Sequence, residues 1–183
     1  MTAPDLVARH ILTGAPGSGK TAILRQLEWD GYPVVEEAAT DVIALRQAQG
    51  DPEPWQRPAF VADVARLQRR RQQAFPDHPV QVFDRSPVCT MALAAFLGHP
   101  VGPVLAAELD RIRTERVYRP QVLLVRQLGF VTRTEARRIS LAEARRFERF
   151  HLDAYAALGY ECVPIDPGPL AERVAAVKAH LAG

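Results

Sequence analysis

Gly14-Ala15-Pro16-Gly17-Ser18-Gly19-Lys20-Thr21 satisfies G-x-x-x-x-G-K-[ST] at every fixed position. Its lysine is one of two in a chain that otherwise draws its positive charge from arginine. The glycines let the backbone curl with its N–H groups inward and approach an anion without Cβ clashes. Lys20 adds a compact, mobile ammonium group suited to the outer phosphates of a nucleotide. The Thr21 hydroxyl suits Mg²⁺, and the first amides of the helix that opens here point at the same anion. His10-Ile11-Leu12-Thr13, before the loop, is a short β-prone run, and Ala22-Ile23-Leu24-Arg25-Gln26-Leu27, after it, has helical periodicity. Strand, glycine turn and helix thus follow in the order a phosphate-binding loop requires.

Outward from this loop, short apolar runs recur at Pro33-Val34-Val35, Val80-Gln81-Val82-Phe83, Val122-Leu123-Leu124-Val125 and Cys162-Val163-Pro164-Ile165, with helical patterns between them. Alternating strand and helix predicts an α/β sandwich: five mostly parallel strands with helices on both faces. Helix punctuation agrees. One helix is predicted from about Val88 to Leu97, stopped by Gly98. Another follows Ser140-Leu141-Ala142-Glu143, whose S-x-x-E spacing is that of a capping box, and ends at Gly159.

In such sheets ligands gather beyond the carboxyl ends of the strands. The third predicted strand closes with Asp84-Arg85-Ser86-Pro87. An acid at that point can hold Mg²⁺ beside Thr21, and the planar fork of Arg85 matches phosphoryl oxygens. The competing reading has Asp84 capping the next helix. The second strand runs into Glu36-Glu37, where a carboxylate could serve an acceptor hydroxyl. Glu37 is preferred, although alternation puts the two on opposite faces and both could instead be first-turn acids of a helix.

Beyond the fourth strand, Arg133, Arg137 and Arg138 could close over a triphosphate as part of a lid spanning 129–147, or could line a solvated helical face. Arg66, Arg69, Arg70 and Arg71, and likewise Arg145, Arg146 and Arg149, read as solvated surface. The stretch from Arg46 to Phe60 carries Gly50, Pro52, Pro54, Trp55 and Pro58 and reads as a long loop. It opens a possible substrate-binding insert over 46–75, or else Trp55 and Phe60 simply pack it down.

Composition bounds the rest. At 183 residues and 48% hydrophobic content the chain fits one domain, 1–183, with a core of its own. No apolar run approaches the length of a membrane span, and Met1 to Arg9 lacks a signal-peptide core, so a cytoplasmic protein is expected. Cys89 and Cys162 lie far apart in apolar surroundings and read as buried thiols. A net charge of +2 argues against a nucleic-acid groove. The chain contains no asparagine, which removes the N-K-x-D guanine-reading motif of GTPase switches.

These motifs resemble AAA-type P-loop ATPases similar to nicotinamide riboside kinases and other small-molecule, nucleoside-type kinases. The resemblance is carried by Gly14 to Thr21, by Glu37-Ala38-Ala39, by Phe83-Asp84-Arg85-Ser86, and by Thr134 to Ser140 leading into Tyr155 and Gly159-Tyr160. In deoxynucleoside kinases, wider relatives, a strand-end glutamate serves the acceptor hydroxyl and an acid-Arg-Ser triplet serves metal and phosphate. The resemblance implies those roles for Glu37 and Asp84-Arg85-Ser86, with aspartate here in the usual place of glutamate. The expected function is transfer of the ATP γ-phosphoryl group to a hydroxyl of a small metabolite, with ATP and Mg²⁺ bound and the protein a monomer or homodimer. A regulatory ATPase without a small-molecule acceptor is the alternative.

Overall fold

The computed structural model of the protein describes residues 7–74, 78–128 and 141–183. Five strands form one sheet: β1 (Ala8–Thr13), β2 (Val34–Val35), β3 (Val80–Asp84), β4 (Gln121–Val125) and β5 (Glu161–Ile165). They stand in the order β2-β3-β1-β4-β5, and every pairing is parallel. Largely buried on both faces, β1, β3 and β4 read in sequence mainly as apolar runs rather than as alternating ones.

Among the described residues seven α-helices flank the sheet: α1 (Lys20–Trp29), α2 (Ala38–Ala48), α3 (Pro58–Ala74), α4 (Pro87–Leu97), α5 (Pro103–Thr114), α6 (Leu141–Ala157) and α7 (Leu170–Leu181). The pleat sorts the core between the two faces. Leu12 and Val82 pack with Leu24 and Leu27 of α1 and Val174 and Val177 of α7. Ile11, Val35 and Phe83 pack with Val88 of α4, Leu105 of α5 and Tyr155 of α6. A third cluster, Val42, Phe60 and Val64, joins α2 to α3, with Trp55, Leu93 and Leu97 against it.

The predicted helix stop at Gly98 is present as a left-handed C-cap, φ 74°. The cap of α4 is Ser86, whose Oγ accepts from the Val88 amide, so the alternative of Asp84 as that helix's cap falls. Arg46 lies inside α2 and Pro58 opens α3, so the long loop expected between them shrinks to residues 49–57 with a short 3₁₀ turn at Pro54–Gln56. Arg46 bridges the two helices through Asp63. Among the described residues no helix is long and apolar enough to cross a membrane.

Candidate active site

β1 occupies the centre of the sheet, with β3 on one side and β4 on the other. The chain leaves β1 toward β2 and leaves β3 in the opposite sense toward β4, so a crevice opens where these connections part. The phosphate loop lies in that crevice. Gly14 has φ 148°, and a Cβ there would stand 2.5 Å from the Val125 carbonyl oxygen, so only glycine fits. Gly19 caps α1 at φ 81°, and a Cβ there would meet Arg173 Nη1 at 2.7 Å.

Register and pleat decide which strand-end side chains meet. Leu12 pairs with Asp84, Val34 with Val82, and Val35 with Phe83. Continued past the strand ends, this alternation turns Asp84 and Glu36 toward α1 and turns Arg85 and Glu37 toward α4 and α6. The contacts obey it. Lys20 Nζ, at the start of α1, lies 2.5 Å from Asp84 Oδ1, with both side chains about nine-tenths buried. Glu36 is half exposed and accepts from Arg25 of α1 at 2.8 Å. Glu37 instead faces the cavity, its Oε1 2.5 Å from Arg85 Nε and its Oε2 accepting from Thr40 Oγ1 at 2.8 Å. Neither acid belongs to the first turn of α2: Glu37 is its cap and Asp41 its first-turn acid.

Burial pushes the Glu37 carboxyl up, but the Arg85 and Lys20 charges with the Thr40 and Arg85 hydrogen bonds outweigh it and hold the group at about 2. Arg85 is correspondingly locked in its charged form. Burial works against the charge, while Glu37, with Cys89 and Asp84 behind it, more than compensates. Arg85 also adopts a left-handed backbone, φ 72°, unusual for a side chain of its size and costing roughly 1 kcal/mol. Its amide continues the ladder to the Leu12 carbonyl at 3.0 Å, and its Nη1 lies 3.0 Å from His151 Nε2.

Three contributors escaped the sequence analysis. Arg71, read there as solvated surface, donates to the carbonyls of Glu36 at 3.0 Å and Glu37 at 2.7 Å and pairs with Asp41, so it braces the turn that presents Glu37. Arg173 of α7, 4% exposed, donates from Nη2 to the Ser18 carbonyl at 2.6 Å and the Arg126 carbonyl at 3.3 Å, tying the phosphate loop to the last helix. His151 of α6 is the third. Their partners are remote in sequence, so no local pattern announces them. Phe147 and Tyr155, each four residues from His151, do mark the α6 face on which it lies. Arg133, Arg137, Arg138 and the Ser140 capping box lie outside the described residues.

The phosphate loop, Lys20, Thr21, Asp84, Glu37 and Arg85 all line one cavity of about 930 Å³. At its far end it is walled by Trp55, Phe60, Val64, Leu93, Phe96 and Phe147, with Gln68 and Thr90 as polar groups. Thr90 Oγ1 donates to Gln68 Oε1 at 2.8 Å, leaving the amide nitrogen of Gln68 as a donor. Among the described residues no cluster of three or more His, Cys, Asp or Glu could cage a metal. A single carboxylate with a neighbouring hydroxyl nonetheless suits Mg²⁺, which keeps several waters and takes its other ligands from substrate phosphates.

A central parallel sheet with a glycine-rich loop between β1 and α1 and an acid at the end of β3 defines the P-loop class of α/β nucleotide-binding folds. The chain belongs to the AAA domain family, whose sequence profile matches residues 9–173. No curated protein sequence matches it. Among solved structures it is similar to the deoxyadenosine kinase of M. mycoides with the products dCMP and a flexible dCDP bound. That likeness has a TM-score of 0.60 at 13% identity, covering 95% of this chain and 98% of the kinase. The same enzyme with dATP bound gives 0.58 at 12% identity, covering 96% and 100%. At such identities the likeness is one of fold.

Proposed function

We propose that the protein is an ATP-dependent small-molecule kinase that transfers the γ-phosphoryl group to a hydroxyl of an uncharged acceptor with a planar ring, a nucleoside being the class that fits. The observation that carries this is the cavity. It continues past the phosphate loop and the Glu37–Arg85 pair into a wall of aromatic and aliphatic side chains, leaving room for a second molecule beside the nucleotide. Aromatic walls suit a ring face, and the Gln68 amide supplies an edge donor. Of the arginines of that cavity, Arg25 is bound to Glu28 and Glu36 and Arg85 is given to the transferring group, which disfavours an acceptor carrying its own phosphate. The deoxyadenosine kinase likeness supports the same class of acceptor.

In this reading the loop amides and Lys20 hold the β- and γ-phosphates. Thr21 and Asp84 would hold Mg²⁺, which would supply charge neutralisation at the phosphate oxygens. Lys20 exchanges its Asp84 partner for phosphate as the nucleotide enters. Arg85 supports charge on the transferring group, and Arg133, Arg137 and Arg138 would add to it as a lid. The work of Glu37 is to accept a hydrogen bond from the acceptor hydroxyl and aim it. Phosphoryl transfer through a loose transition state asks for little more.

The test is ADP release from ATP and Mg²⁺ with and without a panel of nucleosides, sugars and simple alcohols. Stimulation by nucleosides supports the proposal. Slow turnover indifferent to every acceptor rejects it in favour of a regulatory ATPase.

A further inference from the structure

α6 presents Phe147, His151 and Tyr155 on one face, a turn apart. All three close on the segment that follows β3. The Arg85 guanidinium carbon lies 5.9 Å from the centre of the Phe147 ring. Tyr155, fully buried, places its hydroxyl 2.9 Å from Ser86 Oγ and 3.0 Å from Cys89 Sγ. Between them His151, also fully buried, meets Arg85 Nη1 at 3.0 Å.

The ring also lies within hydrogen-bonding reach of Cys89, and its contacts with the Phe147 carbonyl and Arg85 assign its tautomer. His151 Nδ1 lies 2.9 Å from the Phe147 carbonyl, which can only accept, so Nδ1 carries the proton. Arg85 Nη1 can only donate, so Nε2 must offer its lone pair. A neutral imidazole is thereby an acceptor held by its own helix. The guanidinium is held at two points, ion-paired with Glu37 through Nε and in contact with His151 Nε2 through Nη1.

We propose that His151 is a positioning residue for phosphoryl transfer, its neutral Nε2 keeping Arg85 aimed at the transferring group when Glu37 turns to the acceptor hydroxyl. The proposal rests on the kinase reading. If Glu37 were the sole anchor of Arg85, every turnover that drew the carboxylate to an acceptor would release the guanidinium, whose left-handed backbone gives no reason for the side chain to stay. A second acceptor that takes no part in the chemistry removes that conflict. Because it is uncharged, it leaves the positive charge of Arg85 available to the phosphoryl oxygens.

The test compares His151→Phe, which keeps a ring and loses the acceptor, with His151→Gln, whose amide oxygen reaches close to the place of Nε2. His151→Phe is expected to lower kcat about 10- to 100-fold with KM for ATP within about twofold, and His151→Gln to recover most of the rate. Equal losses in the two variants, or a loss confined to KM, overturn the proposal. Nitrogen-15 spectra of the imidazole give a readout free of turnover: a neutral ring protonated at Nδ1, with an Nε2 resonance that moves in Arg85→Met. The other tautomer, or a resonance indifferent to Arg85, overturns it as well. Should no acceptor stimulate turnover, the kinase reading fails by itself, and basal ATP hydrolysis by the same variants carries the kinetic comparison.

Discussion

Lys20 and Asp84 show how a buried ion pair serves binding more than stability. Both side chains are about nine-tenths buried at 2.5 Å, a geometry in which desolvation offsets much of the attraction. What the pair does is hold two charges ready at the spot where a nucleotide and its metal would replace each by the other's partner. Asp84→Asn is therefore expected to lower turnover by about 100-fold or more and to flatten its dependence on Mg²⁺. Initial rates over a magnesium titration check this, and an unchanged metal dependence removes Asp84 from the metal site. Glu37→Gln keeps the shape and the hydrogen bond with Thr40 but loses the charge that holds Arg85, so kcat is expected to fall about 10² to 10³-fold with KM for ATP little changed. A variant that loses ATP binding instead places Glu37 on the nucleotide side. Asp84 was legible in sequence because an acid ending an apolar strand stands out. The choice between Glu36 and Glu37 was not, since it turns on the register of β2 against β3.

The strands could be read because strands covered on both faces by helices must be apolar throughout, and β2 was legible from as few as two residues, Val34 and Val35. Contacts between elements could not be read. Arg71 on α3, Arg173 on α7 and His151 on α6 lie on helices whose sequence shows a face but not the strand end it will meet. Arg173 gives this a measurable form. Donating to the Ser18 and Arg126 carbonyls, it couples α7 to the phosphate loop, and burial pushes its guanidinium toward losing charge. Arg173→Met fills similar space without the donors and leaves two carbonyls unpaired. Hydrogen bonds to a charged group contribute about 1.5–3 kcal/mol, so the affinity for ATP is expected to drop by at least about tenfold while the variant stays folded. Calorimetric titration with ATP and Mg²⁺ decides: undiminished affinity means the loop holds its shape unaided.

At the scale of the whole molecule acid acts on two buried groups at different pH, one on each face of the sheet. His10 stands on β1, on the face covered by α1 and α7, toward the end of the strand away from the phosphate loop, and is 6% exposed. Burial first, then the Arg119 and His180 charges, pushes its imidazole from 6.5 down to about 4. Between those values the unfolded chain binds a proton that the folded chain refuses, so stability rises with pH across this window and falls on acidification. The gap corresponds to at most about 3 kcal/mol, all of it lost by about pH 4. Glu37, held at about 2 against an ordinary 4.5, acts lower: its contribution is intact above 4.5 and disappears as pH falls toward 2. Acid should thus act first through the buried imidazole on β1 and only at lower pH through the Glu37–Arg85 pair. Urea unfolding at intervals from pH 4.5 to 6.5 should show stability climbing with pH. In His10→Gln most of that climb should vanish while ATP turnover per folded molecule at pH 7.5 stays as it was. A slope that survives the substitution would place the acid sensitivity elsewhere in the fold. Altered turnover in a folded variant would mean that this end of β1 communicates with the phosphate loop at its other end.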